Sequence, residues 1–171
     1  MKRLYVSCLE LEVMTRDLAN KIKADNKCYE KIFTFPRGGL PGAVQLAHLL
    51  GIKELVVENP LLRALFFNNG FKNNFDEFIF QDYSLGSDGL TRIKDYLMIN
   101  KDNALFFDDL SDSGRTLAPY QSLGFDTAVY FFKDIRGVKP PTYICKKVSK
   151  KVWIDFHYEQ VNAPMKRDRD I

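Results

Sequence analysis

The stretch of residues 104–118 combines acidic and hydroxyl side chains in an order that suits a phosphorylated sugar. Its four leading apolar residues run directly into Asp108 and Asp109, and a third acid, Asp112, follows. Residues 113–116, with the sequence Ser-Gly-Arg-Thr, then open an expected helix. Carboxylates at a strand end suit sugar hydroxyls or a metal ion, whereas the unpaired N–H groups of a helix start suit a phosphate. We therefore expect this stretch to bind a ribose phosphate.

A second loop, residues 36–42, also has the chemistry of an anion site. Arg37 offers a fork of donors that fits phosphate oxygens. The paired glycines Gly38 and Gly39 allow the backbone to approach a ligand closely, and their N–H groups can form a nest for an anion. Alone, an Arg-Gly-Gly sequence is commonly only a turn. Two such loops at neighbouring strand ends favour a ligand that carries two separated phosphate groups.

The segments around these loops predict an α/β protein with a mostly parallel, twisted sheet that is flanked by helices. Helical spacing of apolar residues is supported by a capping box at Ser7 and Glu10 and by a C-terminal cap at Gly51. A hairpin or two strands are expected within 65–80. The predicted helices span residues 8–23, 40–50, 90–98 and 114–122. The predicted strands span residues 32–35, 55–57, 104–107, 127–132 and 152–156.

The composition limits the classes of protein to which the chain can belong. With 171 residues, 46% of them hydrophobic and 27% charged, the chain predicts a single globular domain over 1–171. No apolar run approaches the ~20 residues that span a bilayer, and no secretory signal is evident. Three widely spaced cysteines indicate reduced thiols, a cytoplasmic setting and no zinc site. A net charge of +3 is too small to argue for nucleic-acid binding. The polar residues 160–171 are expected to fray.

Taken together, the two loops resemble those of the type I phosphoribosyltransferases. Residues 104–118 are similar to the family's phosphoribosyl pyrophosphate (PRPP) motif, and residues 36–42 are similar to its pyrophosphate loop. The resemblance extends to the bacterial xanthine-guanine phosphoribosyltransferases. Residues 131–133 resemble the strand end that presents their base-reading lysine, and residues 151–154 resemble the segment with their stacking tryptophan. Most of the chain is covered, apart from 60–100 and the last dozen residues.

The resemblance implies how PRPP would be bound. Asp108 and Asp109 would face the ribose hydroxyls, directly or through Mg²⁺, for which hard carboxylate oxygens are suitable ligands. The 5-phosphate would be held by four loop residues, Ser113, Gly114, Arg115 and Thr116. The pyrophosphate would be held by Arg37, Gly38 and Gly39.

The resemblance also implies the reaction, which is transfer of the phosphoribosyl group to N9 of guanine, xanthine or hypoxanthine. Asp112 would act as general base or acid near purine N7. Lys133 would donate to the 6-oxo oxygen and so reject adenine, whose amino group is a donor at that position. Trp153 would stack on the purine, and the backbone of Ile154 would read the 2-substituent. Pyrophosphate would leave from an oxocarbenium-like ribose.

Further expectations concern the covering of this site. A small C-terminal hood would be contributed by about 138–160 together with the N-terminal segment, and residues 83–89 are the candidate lid. We also expect a homo-oligomer, either a dimer or a tetramer. Two departures from the family pattern affect these expectations. Pro36 removes one N–H donor from the pyrophosphate loop, and His157-Tyr158 replaces a Pro-Trp pair after the stacking tryptophan.

Three other functions fit parts of the sequence. The first is a phosphoribosyltransferase for another nucleobase, and the second is a non-catalytic regulator that senses PRPP or a nucleotide with the same fold. Retention of both Asp112 and Lys133 favours the enzyme. The third is a receiver domain, which would need a phosphoacceptor Asp at another strand end, where this chain has Glu58.

Overall fold

The computed structural model of the protein describes residues 2–36, 38–57 and 101–162. Three sequence predictions lie outside these ranges: the hairpin or strands within 65–80, the lid at 83–89 and the helix at 90–98. Of the polar tail at 160–171, residues 163–171 also lie outside them. Arg37, the predicted pyrophosphate ligand, is also outside them.

The described strands are β1 (Lys2–Val6), β2 (Lys31–Thr34), β3 (Glu54–Val57), β4 (Ala104–Ser111), β5 (Asp126–Lys133), β6 (Tyr143–Val148) and β7 (Val152–Phe156). The helices are α1 (Cys8–Ala24), α2 (Gly39–Leu50) and α3 (Ala118–Ser122), with 3-10 turns at Lys101–Asn103 and His157–Asn162. Within the described ranges, no helix combines the length and the apolar character that crossing a membrane requires.

Five of the strands form one sheet in the order β3-β2-β4-β5-β6, and every pairing in it is parallel. A second sheet pairs β1 with β7, again in parallel. Helices α1 and α2 connect strands within this arrangement, as the alternation of elements predicted. The expected fold class, a mostly parallel α/β sheet with flanking helices, is therefore confirmed.

The two long helices begin and end where local signals are strongest. At the start of α1, Glu10 N donates to Ser7 Oγ (3.2 Å) and Ser7 N donates to Glu10 Oε2 (2.8 Å), which completes the predicted capping box. Helix α2 ends at Gly51, whose φ of +71° is left-handed and suits glycine. Both helices therefore keep their predicted positions to within about a residue of each end.

Because the sheet is buried on both faces, alternate residues of its strands enter two different cores. On the face covered by α1 and α2, Phe107 packs with Tyr130 at a ring-centroid distance of 5.0 Å. On the other face, Phe106 stacks with Phe33 (4.8 Å) and with Tyr120 of α3 (3.9 Å). Packing on both faces of the sheet thus holds β4 in place immediately before its acidic residues.

Gly42 of α2 lies against the first of these cores. A Cβ at this position would be 2.5 Å from Tyr130 Oη and 2.8 Å from the Phe107 ring. Tyr130 is itself fixed, because its hydroxyl lies 2.6 Å from Thr15 Oγ1 in a hydrogen bond. Glycine therefore lets α2 approach the sheet closely.

We expect Gly42→Ala to lower the free energy of unfolding by about 1–2 kcal/mol, since overpacking a filled core costs about 1–3 kcal/mol and contacts below 3.0 Å place this site at the upper end of that range. The gain in helix propensity, up to about 1 kcal/mol, offsets only part of this cost. Urea unfolding measures the change. Val44→Ala, at an exposed site of the same helix, is the control and should shift stability by less than about 0.5 kcal/mol. Equal stabilities of the two variants would contradict the prediction.

Candidate active site

The carboxyl ends of β2, β4 and β5 lie side by side at one edge of the sheet. Strand β2 ends with Thr34, which pairs with Phe107 of β4. Strand β4 continues to Ser111, because β5 goes on pairing with it as far as Phe132. The expected strand at 104–107 is therefore too short, since its ladder with β5 carries the following acids inside the strand. These acids project past the end of β2 and face the loop that follows it.

Asp108 and Asp109 are both buried, each with 8% of its surface exposed. Asp109 N donates to Asp108 Oδ1 at 3.0 Å, and Tyr158 Oη donates to Asp109 Oδ2 at 2.7 Å. Buried carboxylates require such donors, because burying an unpartnered charge is costly. The pair is held rigidly enough to present oxygens to a sugar or to a metal ion.

The loop after β2 packs directly on these acids. A Cβ on Gly38 would overlap the Asp109 carboxylate, with 2.8 Å to its Cγ. A Cβ on Gly39 would be 2.5 Å from Thr34 Oγ1 and 3.2 Å from the Phe107 carbonyl oxygen. Only glycine allows this approach, which brings the predicted pyrophosphate loop and the predicted ribose acids together. Gly38 is also the N-cap of α2, and no side chain caps the helix there.

Residues 112–117 form a turn, and helix α3 begins only at Ala118. The helix predicted from 114 is therefore wrong at its start, because Gly114 has a φ of +75°, which no helix contains. A Cβ there would also overlap Val138 Cγ1. Ala118 N donates to Gly114 O at 2.9 Å and closes the turn.

The turn keeps backbone donors for a ligand. Ser113 and Arg115 are exposed, and Thr116 is half-buried. Among the described residues, the backbone N–H groups of Ser113, Gly114 and Arg115 donate to no other group. Such a turn can act as an anion nest without a helix N-terminus.

The predicted general base and the predicted base-reading lysine are in direct contact. Lys133 is the last residue of β5, and its Nζ lies 2.7 Å from Asp112 Oδ1. The Lys133 side chain is only 6% exposed, whereas that of Asp112 is 61% exposed. The lysine thus extends from the core toward a carboxylate at the open edge of the site, with its charge balanced there.

Trp153 and Ile154 lie on opposite faces of β7. Ile154 is buried (4% exposed), and Trp153 is 46% exposed with its Nε1 donating to Asp155 Oδ1 at 2.9 Å. In the described part of the chain, no hydrogen bond or ring contact joins Trp153 to Asp112 or Lys133. The structure therefore does not bring Trp153 into the Asp112–Lys133 cluster, and its stacking role stays a prediction.

Tyr158 is a site residue that sequence reasoning missed. Burial, and then the charge and hydrogen bond of Asp109, raise the pKa of its hydroxyl, so it stays a neutral donor at ordinary pH. Its ring stacks on Phe156 with centroids 5.2 Å apart. The sequence departs from the family pattern at His157-Tyr158, which was the only sign that this position is unusual. That departure does not reveal that the Tyr158 hydroxyl reaches the end of β4.

The donor set fits a magnesium ion that arrives with its substrate. Within the described ranges, no group of three or more His, Cys, Asp or Glu side chains could hold a metal. Asp108 and Asp109 supply two carboxylates, and Mg²⁺ commonly uses one or two carboxylates together with water and substrate phosphates. A substrate bearing phosphate would complete the coordination.

Comparison with solved structures identifies the fold. A hypothetical protein from Neisseria gonorrhoeae with bound ppGpp is similar with a TM-score of 0.62 and 17% identity, over 94% of this chain and 91% of that one. A purine phosphoribosyltransferase from Pyrococcus horikoshii gives 0.56 and 22%, over 91% and 93%. The xanthine-guanine-hypoxanthine phosphoribosyltransferase of Helicobacter pylori gives 0.62 and 18%, over 92% of each chain.

No family model matches the sequence, and no curated protein matches it. At identities of 17–22%, the likeness to solved structures shows the fold. The chain has the type I phosphoribosyltransferase fold, and the resemblance inferred from its two loops is confirmed at that level.

Proposed function

We propose that the protein is a Mg²⁺-dependent phosphoribosyltransferase that transfers the 5-phosphoribosyl group of PRPP to N9 of a 6-oxopurine. The observation that carries this proposal is the packing of Gly38 against Asp109, which brings the loop after β2 against the acidic end of β4. In this proposal, a ligand at this edge meets the pair of carboxylates and the two turns that we expect to bind anions. PRPP, with a phosphate and a pyrophosphate on one ribose, has the matching distribution of groups.

In this proposal, PRPP occupies three neighbouring parts of the site. Its 5-phosphate lies in the turn 113–116, where backbone N–H groups and hydroxyls donate to it. Its ribose hydroxyls face Asp108 and Asp109. Its pyrophosphate lies at Gly38 and Gly39, near the uncapped start of α2, and Arg37 is proposed as a further ligand. Bound magnesium would neutralise charge on the departing pyrophosphate.

The purine is proposed to bind between the Asp112–Lys133 pair and the sheet formed by β1 and β7, which would serve as the hood. Lys133 donates to the 6-oxo oxygen, and Trp153 stacks on the purine face. Ile154 reads the 2-substituent through its backbone. The purine N9 forms a bond to ribose C1 as the bond from C1 to the pyrophosphate oxygen breaks, and Asp112 accepts the purine proton. The carboxylates beside the ribose stabilise its developing positive charge.

A direct test is to incubate the protein with PRPP and Mg²⁺ and with each of guanine, xanthine, hypoxanthine, adenine and orotate. We expect a nucleoside monophosphate and pyrophosphate from at least one 6-oxopurine and little product from adenine. Chromatography of the nucleotides and a coupled pyrophosphate assay measure both products. Turnover of adenine or orotate alone would overturn the 6-oxopurine assignment and leave a phosphoribosyltransferase for another base.

A second candidate is a regulator that binds a nucleotide without turnover. It is favoured by the gonococcal protein of the same fold, whose structure holds ppGpp. That nucleotide carries a diphosphate on each side of its ribose, and two anion turns around a pair of acids could accommodate it. Tight binding of ppGpp in calorimetry, with no product from any base, would favour this candidate over the enzyme.

A further inference from the structure

We propose that Tyr158 is a positioning residue that fixes the Asp109 carboxylate for PRPP and thereby connects the C-terminal segment with the sugar subsite. This inference rests on the proposed function in its assignment of PRPP to Asp109. The link between the two residues can be tested without any ligand.

The geometry leaves Asp109 few other orientations. Tyr158 Oη donates to its Oδ2 at 2.7 Å, while the Gly38 backbone lies close against the same carboxylate. With 8% of Asp109 exposed, water cannot readily replace the tyrosine hydroxyl as a donor. One carboxylate oxygen is therefore engaged by Tyr158, and the group has a fixed orientation toward the ribose hydroxyls.

Tyr158 is itself held by a series of packed rings. Its ring stacks on Phe156 with an interplanar angle of 7°, and Phe156 is only 2% exposed. Phe156 packs on Phe131 of β5 at a centroid distance of 5.9 Å. Through these rings, the position of the Tyr158 hydroxyl depends on β5, the strand that ends at Lys133.

This arrangement has a consequence for substrate binding. Strand β7 carries both the proposed purine platform, Trp153, and Phe156, the ring on which Tyr158 stacks. If purine binding shifted β7, the Tyr158 hydroxyl that donates to Asp109 would move with it. If β7 stayed in place, Asp109 would keep the orientation in which it binds PRPP. The C-terminal segment therefore takes part in both halves of the site.

The test compares Tyr158→Phe with Tyr143→Phe, a matched removal of a hydroxyl from a tyrosine at the start of β6, at the edge of the sheet opposite the site. In Tyr158→Phe, phenylalanine retains the stack on Phe156 and removes only the donor. In calorimetry, we expect the Kd of PRPP with Mg²⁺ to rise about tenfold in Tyr158→Phe and to change less than twofold in Tyr143→Phe. The KM for PRPP should rise by a similar factor, while the KM for the purine stays within about twofold.

A double-mutant cycle with Asp109→Ala separates positioning from general destabilisation. In the ligand-free protein, urea unfolding should show that Tyr158→Phe changes the unfolding equilibrium constant by about tenfold with Asp109 present and by less than about twofold in the Asp109→Ala background. If Tyr158→Phe changed the unfolding equilibrium constant by the same factor with and without Asp109, the proposed link between Tyr158 and Asp109 would be overturned.

PRPP binding by Tyr158→Phe equal to that of Tyr143→Phe, or tighter, would overturn the positioning role. Failure of the unaltered protein to bind PRPP would instead overturn the proposed function. The ligand-free cycle would still report on the contact between Tyr158 and Asp109.

Discussion

Replacing Asp112 with Asn is expected to lower kcat by about 10²–10⁴-fold while the Kd of PRPP changes little. A positioned general base contributes about this factor, and an amide cannot accept the purine proton. Asn retains an oxygen that can accept a hydrogen bond from Lys133, whose Nζ now lies 2.7 Å from the acid. Steady-state kinetics and calorimetry with PRPP and Mg²⁺ measure the two quantities.

The matched control is Asp134→Asn, an exposed acid just past the end of β5. It should leave kcat within about twofold of the unaltered protein. Urea unfolding of both variants shows whether any loss of activity follows a loss of folded protein. If Asp112→Asn keeps full turnover, Asp112 is not the general base. If both the unaltered protein and Asp112→Asn bind the nucleotide fully but show no turnover, the sensor is favoured.

Replacing Lys133 with Met is expected to lower kcat/KM for 6-oxopurines by about 10–100-fold. A hydrogen bond to a charged group contributes about 1.5–3 kcal/mol, which corresponds to that range. Methionine fills the buried space of the lysine stem without its donor. Asp112 can lose this partner at modest cost, since it is 61% exposed. The Kd of PRPP should stay within about threefold.

Lys147→Met, at an exposed position of β6, is the control for loss of one positive charge. It should leave kcat/KM for every base unchanged within about twofold. A fall in PRPP affinity as large as the fall in kcat/KM would show that Lys133 acts on the sugar phosphate and would contradict its role as the base reader.

Local signals predicted the parts of the fold that local interactions determine. The ends of α1 and α2 follow from Ser7, Glu10 and Gly51, whose caps involve only near neighbours in sequence. The acidic end of β4 and the glycines after β2 could likewise be located, because a strand end with small and charged residues is a strong pattern. The proximity of Gly38 to Asp109 then follows from parallel pairing of the two strands.

Long-range pairing determined what the sequence did not predict. Strands β1 and β6 have mixed burial along their length and carry no clear alternation, so only their partners define them. The late start of α3 depends on the positive φ of Gly114, which a glycine permits but does not demand. The contact of Tyr158 with Asp109 joins residues 49 positions apart and has no local signature.

The pairing of β1 with β7 also bears on how the protein is made. The partners of residues 2–6, at 152–156, are synthesised 150 positions later in the chain. Strands β2 to β5 of the larger sheet can pair as they emerge, whereas the small sheet can form only after residues 152–156 have been synthesised. Nascent chains stalled before residue 152 would therefore expose an unpaired strand edge, which is a hazard for aggregation and a natural point of contact for chaperones.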